Sequence, residues 1–142
     1  MSDLTTSIAV RSDALDPVAV HARVRDDRAG AAVLFSGMVR DHSPGKSDIT
    51  HLEYEAYGEH VESKIVDVAN EARARWDVLH ICVEHRVGEI AVGGTTVLVA
   101  VSSAHRGDAF GAARFLIDEL KARAPIWKKE HWPGGAEWVE GA

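Results

Sequence analysis

The sequence predicts a single α+β domain. Residues 59–76 and 107–124 carry apolar side chains at every third or fourth position, which is the periodicity of an amphipathic helix. Residues 31–39 are largely apolar and residues 51–57 alternate polar with apolar, which are the patterns of buried and half-buried strands. The 142 residues, 46% of them apolar, are enough for one domain with a sizeable core, and we expect residues 1–142 to form it.

The first half of the chain predicts a strand, a helix and two further strands. Asp16 and Pro17 have the character of a helix N-cap and a first helical residue, so the first helix begins there. The polar segment around Pro44 and Gly45 is typical of a mobile loop. The predicted ranges are strand 7–11, helix 17–25, strand 31–39, loop 40–47 and strand 51–57.

The second half predicts two long helices, two strands and a hairpin. Residues 95–102 are apolar enough to be covered on both faces of a sheet. Pro125 cannot continue a helix, and Pro133-Gly134-Gly135 predicts a tight turn. The predicted ranges are helix 59–76, strand 79–87, a turn at Gly93-Gly94, strand 95–102, helix 107–124 and a hairpin of 126–132 with 136–139. The side chains expected to face the core from the last helix are Phe110, Ala113, Leu116, Ile117 and Leu120.

Composition narrows the classes of function. The net charge of −6 argues against a general nucleic-acid binder, which would need a broad basic face. The single cysteine, Cys82, permits no internal disulfide and fits a reducing compartment. No signal peptide is evident at the start, and no apolar run approaches the roughly 20 residues of a membrane helix, so we expect a cytoplasmic protein.

One segment, residues 121–132 (KARAPIWKKEHW), concentrates positive charge in this acidic chain. Lys121 and Arg123 fall in the last turn of a predicted helix, where cations interact favourably with the helix dipole without any further role. Lys128 shares its side of a strand with Glu130, and a surface ion pair between them would contribute little. Pro125 fixes a corner between helix and strand, so Lys121 and Lys128 can instead point to a common site.

Two other junctions add cations that could join this site. Arg40 follows the strand that contains Phe35, and His105-Arg106 lies where a strand passes into a helix, whose amide groups also attract anions. Each signal alone is typical of solvated surface. Together with Lys121 and Lys128, these residues would form a compact cationic site able to hold a phosphate.

Metal and nucleotide sites have little support in the sequence. Cys82 and His85 are three residues apart on a predicted strand, hence on opposite faces, and cannot bind one ion together. Cys82 is expected in the core, although a Cys-His nucleophilic pair stays possible at this stage. There is neither a P-loop nor a dinucleotide-binding glycine motif. We therefore predict no metal and no cofactor.

Four segments, taken in order, resemble the large subunit of molybdopterin synthase, the MoaE family. They are residues 35–42 (FSGMVRDH), 83–89 (VEHRVGE), 102–106 (SSAHR) and 121–130 (KARAPIWKKE). The resemblance implies an α/β hammerhead fold with an additional antiparallel β subdomain. It also implies sulfur transfer to cyclic pyranopterin monophosphate, a step of molybdenum cofactor biosynthesis. The sulfur donor is the C-terminal Gly-Gly thiocarboxylate of a small ubiquitin-like subunit (MoaD), and the large subunits form a homodimer.

The resemblance also assigns roles by matching positions. Lys121 and Lys128 become the catalytic lysines, Arg40, His105 and Arg106 hold the phosphate and the pterin, and Phe35 forms a wall of the site. Two alternatives remain at this stage. One is a non-catalytic dimeric scaffold that docks a ubiquitin-like partner, and the other is an unrelated enzyme acting on a phosphorylated ligand.

Overall fold

The computed structural model describes residues 3–56 and 58–140, which form eleven helices and strands. Tyr57, the last residue of one predicted strand, lies outside the described residues. In chain order the elements are β1 (Thr5–Arg11), α1 (Pro17–Val24), β2 (Ala31–Met38), β3 (His51–Ala56), α2 (Gly58–Arg75), β4 (His80–Arg86), β5 (Gly88–Ala91), β6 (Thr95–Ser103), α3 (Arg106–Arg123), β7 (Ile126–Trp132) and β8 (Gly135–Glu140).

The first sheet has the strand order β1-β4-β6-β2 and carries helices on both faces. Only the β1–β4 pair is parallel, and β4–β6 and β6–β2 are antiparallel. Helices α2 and α3 pack together on one face, while α1 covers the other face and packs against Cys82, Leu98 and Ala100 of the sheet. Because helices cover both faces, almost every residue of β6 is buried, as its apolar sequence predicts.

The second sheet is entirely antiparallel, with the order β5-β3-β7-β8. Backbone hydrogen bonds link the two sheets just after β2. The amide of Val39 donates to the carbonyl oxygen of Gly94 at 3.0 Å, and the amide of Gly93 donates to the carbonyl oxygen of Val39 at 2.8 Å. Leu52, Tyr54 and Ile126 of this sheet belong to the same buried cluster as the apolar faces of α2 and α3. The predicted α+β class, with an antiparallel sheet added to a hammerhead, is confirmed.

Helix ends form where the sequence predicts them. The side chain of Asp16 accepts hydrogen bonds from the amides of Val18 and Ala19 at 3.0 and 3.3 Å, and Pro17 occupies the first turn. Helix α3 ends at Arg123, and Pro125 follows Ala124, whose amide bonds back to Leu120 at 3.0 Å. This corner lies within the cation-rich segment, residues 121–132.

Two details of the sequence prediction are wrong. Strand β5 was not predicted, because its four residues begin at Gly88, with φ of 91°, and are too few to show a period. Phe110 was expected in the core but is 62% exposed. The buried positions of α3 are instead Ala109, Ala112, Ala113, Leu116, Ile117 and Leu120.

Among the described residues, no helix is long and apolar enough to span a membrane.

Candidate active site

A cavity of about 320 Å³ opens between the two sheets, beside the carboxyl end of α3. It is the place where β2, β3, β4, β6, α3 and β7 come together. Its lining consists of Phe35, Ser36, Gly37, Met38, Arg40, His42, Leu52, Tyr54, His85, Thr96, Val97, Ile117, Leu120, Lys121, Lys128 and Glu130. Four of the six residues predicted for the site are therefore present: Phe35, Arg40, Lys121 and Lys128.

Phe35 reaches the cavity from β2, and Arg40 reaches it from the segment that follows this strand. The pairing of β2 with β6 shifts register between Gly37 and Met38, and such irregularities redirect the side chains that follow. Gly37 itself leaves no room for a side chain, because a Cβ there would lie 2.7 Å from Val97 Cγ1. Arg40 comes two residues after this point and is exposed at the cavity mouth.

Lys121 and Lys128 approach the same cavity from either side of the Pro125 corner. Lys121 lies in the last turn of α3, and Lys128 lies opposite Tyr54 in the β3–β7 pair. Burial lowers the pKa of Lys128 below its ordinary value, and the nearby charges of Lys121 and Arg40 lower it further. The predicted convergence of the two lysines is thus present.

Glu130 does not form a surface ion pair with Lys128. It is 5% exposed, and its carboxylate accepts hydrogen bonds from Lys46 Nζ at 2.9 Å and from Ser43 Oγ at 3.2 Å. Burial alone would raise the pKa of Glu130, but these bonds outweigh it and hold the pKa below its ordinary value. Lys46 also contacts Glu137 at 2.6 Å, so the segment after Arg40 is tied to the β7–β8 hairpin.

The floor of the cavity holds residues that the sequence analysis did not assign to the site. The ring of Tyr54 meets that of His85 edge-on, with centroids 5.0 Å apart, and burial raises the pKa of the Tyr54 hydroxyl against a smaller lowering effect of the Thr96 side chain. His85 lies within the family-like segment 83–89, and that was the one available signal. Tyr54 gave only the strand alternation that any half-buried strand shows.

His105 and Arg106 lie elsewhere in the described chain. Both are exposed at the amino end of α3, whereas Lys121 lies at its carboxyl end. From Arg106 to Lys121 the helix rises about 22 Å, at 1.5 Å per residue. The strand pairing leads to the same conclusion. Ser103, at the end of β6, pairs with Ala31 at the start of β2, and Arg40 follows the opposite end of that strand. A single chain therefore does not bring all six predicted residues together.

The cavity is suited to an anionic ligand. Arg40, Lys121 and Lys128 place three cations around one opening, and the one buried carboxylate in its lining, Glu130, is already paired with Lys46. Cationic donors of this kind bind phosphates and carboxylates through charge-assisted hydrogen bonds. In the part of the chain that the structure describes, no group of three or more His, Cys, Asp or Glu side chains is arranged to hold a metal ion.

Comparison with known proteins supports the family resemblance seen in the sequence. The family model for the MoaE protein matches residues 10–123. The chain is 40% identical over 141 residues to the molybdopterin synthase catalytic subunit of Pasteurella multocida, covering 99% of this chain and 92% of that protein.

Solved structures show the same fold. The crystal structure of molybdopterin synthase from Staphylococcus aureus superposes with a TM-score of 0.86 at 33% identity, covering 92% of this chain and 94% of that one. The complex of subunits 1 and 2 of the molybdopterin-converting factor from Helicobacter pylori gives a TM-score of 0.77 at 20% identity, covering 94% and 90%, which shows the fold alone. The family-model match over residues 10–123 and the 40% identity to the Pasteurella multocida subunit show that this chain belongs to the MoaE family.

Proposed function

We propose that this chain is the catalytic subunit of a molybdopterin synthase. It transfers sulfur from the C-terminal thiocarboxylate of a small ubiquitin-like subunit to cyclic pyranopterin monophosphate, forming the dithiolene of molybdopterin. The observation that carries this proposal is the meeting of Arg40, Lys121 and Lys128 around one cavity. The names of the relatives support the reaction class.

The reaction must bring two anions together, and the cavity provides the opposite charge. The thiocarboxylate and the phosphate repel one another, and clustered cations offset that repulsion. Their effect is stronger where less water screens the charges. Each sulfur forms a bond to a carbon of the substrate, which gives up a carbon–oxygen bond in exchange, in one case by opening of the cyclic phosphate. Water then cleaves the bond between that sulfur and the partner's terminal carbonyl carbon, which leaves as a carboxylate. Lys121 and Lys128 are positioned to stabilise the negative charge that develops on the carbonyl oxygen during this step.

Lys128 is the better candidate for moving a proton. Its pKa is lowered by burial and by the charges of Lys121 and Arg40, so a larger fraction of its amino groups is neutral near pH 7 than for an exposed lysine. A neutral amine can accept a proton and return it later in the cycle. Lys121 then acts mainly through its charge.

The partner's tail is proposed to enter at the Pro125 corner. A second concavity, of about 440 Å³, runs along residues 121–127 and ends at Trp127, whose side chain is 37% exposed. This concavity shares Lys121 with the main cavity, so an extended peptide could pass from one to the other. The Helicobacter pylori relative is a complex of two subunits, and we propose a small subunit with a terminal Gly-Gly for this chain too.

We propose that His105 and Arg106 contribute from a second copy of the chain. They lie at the far end of α3 from Lys121, and an 18-residue helix cannot bring its two ends into one pocket. In a homodimer, the exposed amino end of one α3 can approach the cavity of the other protomer. Each site would then combine Arg40, Lys121 and Lys128 of one protomer with His105 and Arg106 of its partner.

Reconstitution tests the function directly. Purified chain, the thiocarboxylated small subunit and cyclic pyranopterin monophosphate should yield the dithiolene product, detected after oxidation to a fluorescent pterin. A small subunit that lacks its last two glycines should still form a complex on size-exclusion chromatography but give no product, because most of the interface lies outside the tail. A chain that binds the intact partner without making product would instead be a scaffold.

The remaining part of the proposal concerns location. The reaction uses a thiocarboxylate donor and the chain has a single cysteine, so we propose that it works in the reducing environment of the cytoplasm. Fractionation of cells expressing a tagged copy tests this, and recovery of the tagged chain with membranes or outside the cell would contradict it.

A further inference from the structure

His85 is a buried histidine in the cavity that has no role in the proposed chemistry so far. It lies on β4, is 1% exposed, and contributes its ring to the cavity lining. The neighbouring residue, Glu84, points to the opposite face of the sheet, where it pairs with Arg11 and Arg23. The two faces of β4 therefore differ, since a carboxylate balanced by arginines faces α1 and a lone imidazole faces the cavity.

The tautomer of His85 follows from its hydrogen bond. Nδ1 lies 2.7 Å from the backbone carbonyl oxygen of Arg86, and a carbonyl oxygen can only accept, so Nδ1 carries the hydrogen. In a neutral imidazole the other nitrogen, Nε2, then has a free lone pair and acts as an acceptor. Within residues 3–56 and 58–140 the bond to Arg86 is the one the ring makes with protein.

The ring stays neutral across the physiological range. Burial lowers the pKa of His85 to about 4, the hydrogen bond to the Arg86 carbonyl opposes this in part, and the nearby positive charge of Lys121 adds a smaller lowering effect. The other groups in the lining include Tyr54 from β3 and Lys128 and Glu130 from β7. Glu130 is the one carboxylate among these three, and it is already paired with Lys46 at 2.9 Å. The cavity thus combines cations near its opening with an uncharged acceptor at its floor.

We propose that Nε2 of His85 accepts a hydrogen bond from an N–H group of the ligand that occupies the cavity. This inference rests on the proposed function, because it assigns the inner end of the same site. A ligand that fits both ends has an anionic group for Arg40, Lys121 and Lys128 and an N–H donor for His85. Two reactants have this chemistry: the pterin, with its ring N–H and amino groups, and the partner's tail, with its glycine amides.

Two substitutions of His85 separate ligand binding from structural support. In His85→Asn the shorter amide lies near the position of Nδ1, so it can still donate to the Arg86 carbonyl but offers nothing at Nε2. In His85→Gln the longer side chain places an amide oxygen near Nε2 and so restores the acceptor. If the ring served only to support the Arg86 carbonyl, the asparagine variant would be the one that behaves like the wild type.

Calorimetry distinguishes the two sources of the N–H group. One arm titrates the full-length chain with cyclic pyranopterin monophosphate, and the other with the small subunit carrying its intact tail. We expect His85→Asn to weaken one of the two by about tenfold or more, as for the loss of a buried hydrogen bond, and His85→Gln to recover most of that loss. Unchanged binding of both reactants to His85→Asn, or an equal loss in His85→Gln, would overturn the proposal.

A measurement on the wild-type chain covers the case in which a variant fails to fold. The chemical shift of Nε2, observed with nitrogen-15-labelled histidine, should move in the direction of a hydrogen-bonded acceptor when the reactant that binds is added. Absence of that change with both reactants refutes the role of His85. Failure of the proposed function is seen separately, as a wild-type chain that binds the reactants but makes no product.

Discussion

The two ends of helix α3 both carry exposed cations, but their surroundings differ. At the carboxyl end, Lys121 faces a cavity that Arg40 and Lys128 also line, so the chain assembles this cluster by itself. At the amino end, His105 and Arg106 are exposed and remote from that cavity, and the side chain of His105 does not cap the helix. The first region can therefore be understood from one chain, whereas the second joins a site only under the proposal that a second copy of the chain faces it.

The largest effect is expected at the carboxyl end. Lys121→Ala should lower turnover by about a hundred- to a thousandfold, the usual cost of removing a charge that stabilises a transition state. Thermal unfolding should be nearly unchanged, because the residue is exposed. Arg114→Ala is the control, since Arg114 is an exposed cation of the same helix, 85% accessible, that does not line the cavity. Near-normal turnover of Lys121→Ala would leave that lysine with only a helix-end role.

Replacing Lys128 should separate stability from activity. Lys128→Met is expected to lower turnover by about a hundredfold and to raise the free energy of unfolding, because a partly buried charge among other cations is removed. The pKa of Lys128 is lower in the folded chain than its ordinary value of 10.5, so charging this group costs the folded state.

The pH dependence of this gain has a defined sign. The gain should be largest at pH values below the folded pKa of Lys128 and should fade as the pH approaches 10.5, where the unfolded chain also loses the proton. Chemical denaturation of both proteins across that range measures it. A variant that is less stable than the wild type at neutral pH would show that Lys128 supports the fold.

Arg40 is expected to act mainly in binding. Arg40→Ala should raise KM for the phosphorylated pterin by about tenfold or more and change kcat little, as expected when a charge contact is made equally in the ground state and the transition state. Lys64→Ala removes an exposed cation of α2 and serves as the control. Unchanged substrate affinity in Arg40→Ala, measured by titration, would exclude a phosphate-binding role.

The smallest effect concerns how α3 is held in place. A Cβ at Gly111 would collide with the ring of Trp76, while one at Gly107 would meet nothing within 4 Å. Gly111→Ala should therefore lower stability by about 1–3 kcal/mol through overpacking, and Gly107→Ala should be neutral or gain up to about 1 kcal/mol from helix propensity. Equal melting temperatures of the two variants would contradict the close approach of α2 and α3.

The fold could be predicted where local patterns decide it. The Asp16-Pro17 start of α1, the double burial of β6 and the Pro125 corner follow from capping, hydropathy and proline chemistry. Phe110 was assigned to the wrong side of α3 because the buried side consists largely of Ala109, Ala112 and Ala113. A hydrophobic pattern gives a phenylalanine more weight than an alanine at the neighbouring position. Small residues occupy that side because α3 lies close to its neighbours.

The site was predictable only in part, because its residues come from distant segments. Arg40, Lys121 and Lys128 could be grouped by charge and by their positions after a strand or beside the Pro125 corner. Tyr54 and His85, in contrast, look like ordinary core residues until β3 and β4 are placed together. The separation of His105 and Arg106 from Lys121 was already implied by the predicted helix 107–124, which lies between them. Their distance from Arg40 depends on the antiparallel pairing of β2 with β6, which sequence patterns do not specify.

Mixed dimers test most directly whether the two ends of α3 meet in one site across two protomers. Lys121→Ala and Arg106→Ala chains are each expected to be impaired on their own. After mixing and reassociation, half of the dimers carry one of each, and in those dimers one of the two sites contains both intact residues, so activity should recover to about a quarter of the wild-type level. If both residues served the same protomer's site, every site would carry a defect, and the mixture would be no more active than the two variants measured separately.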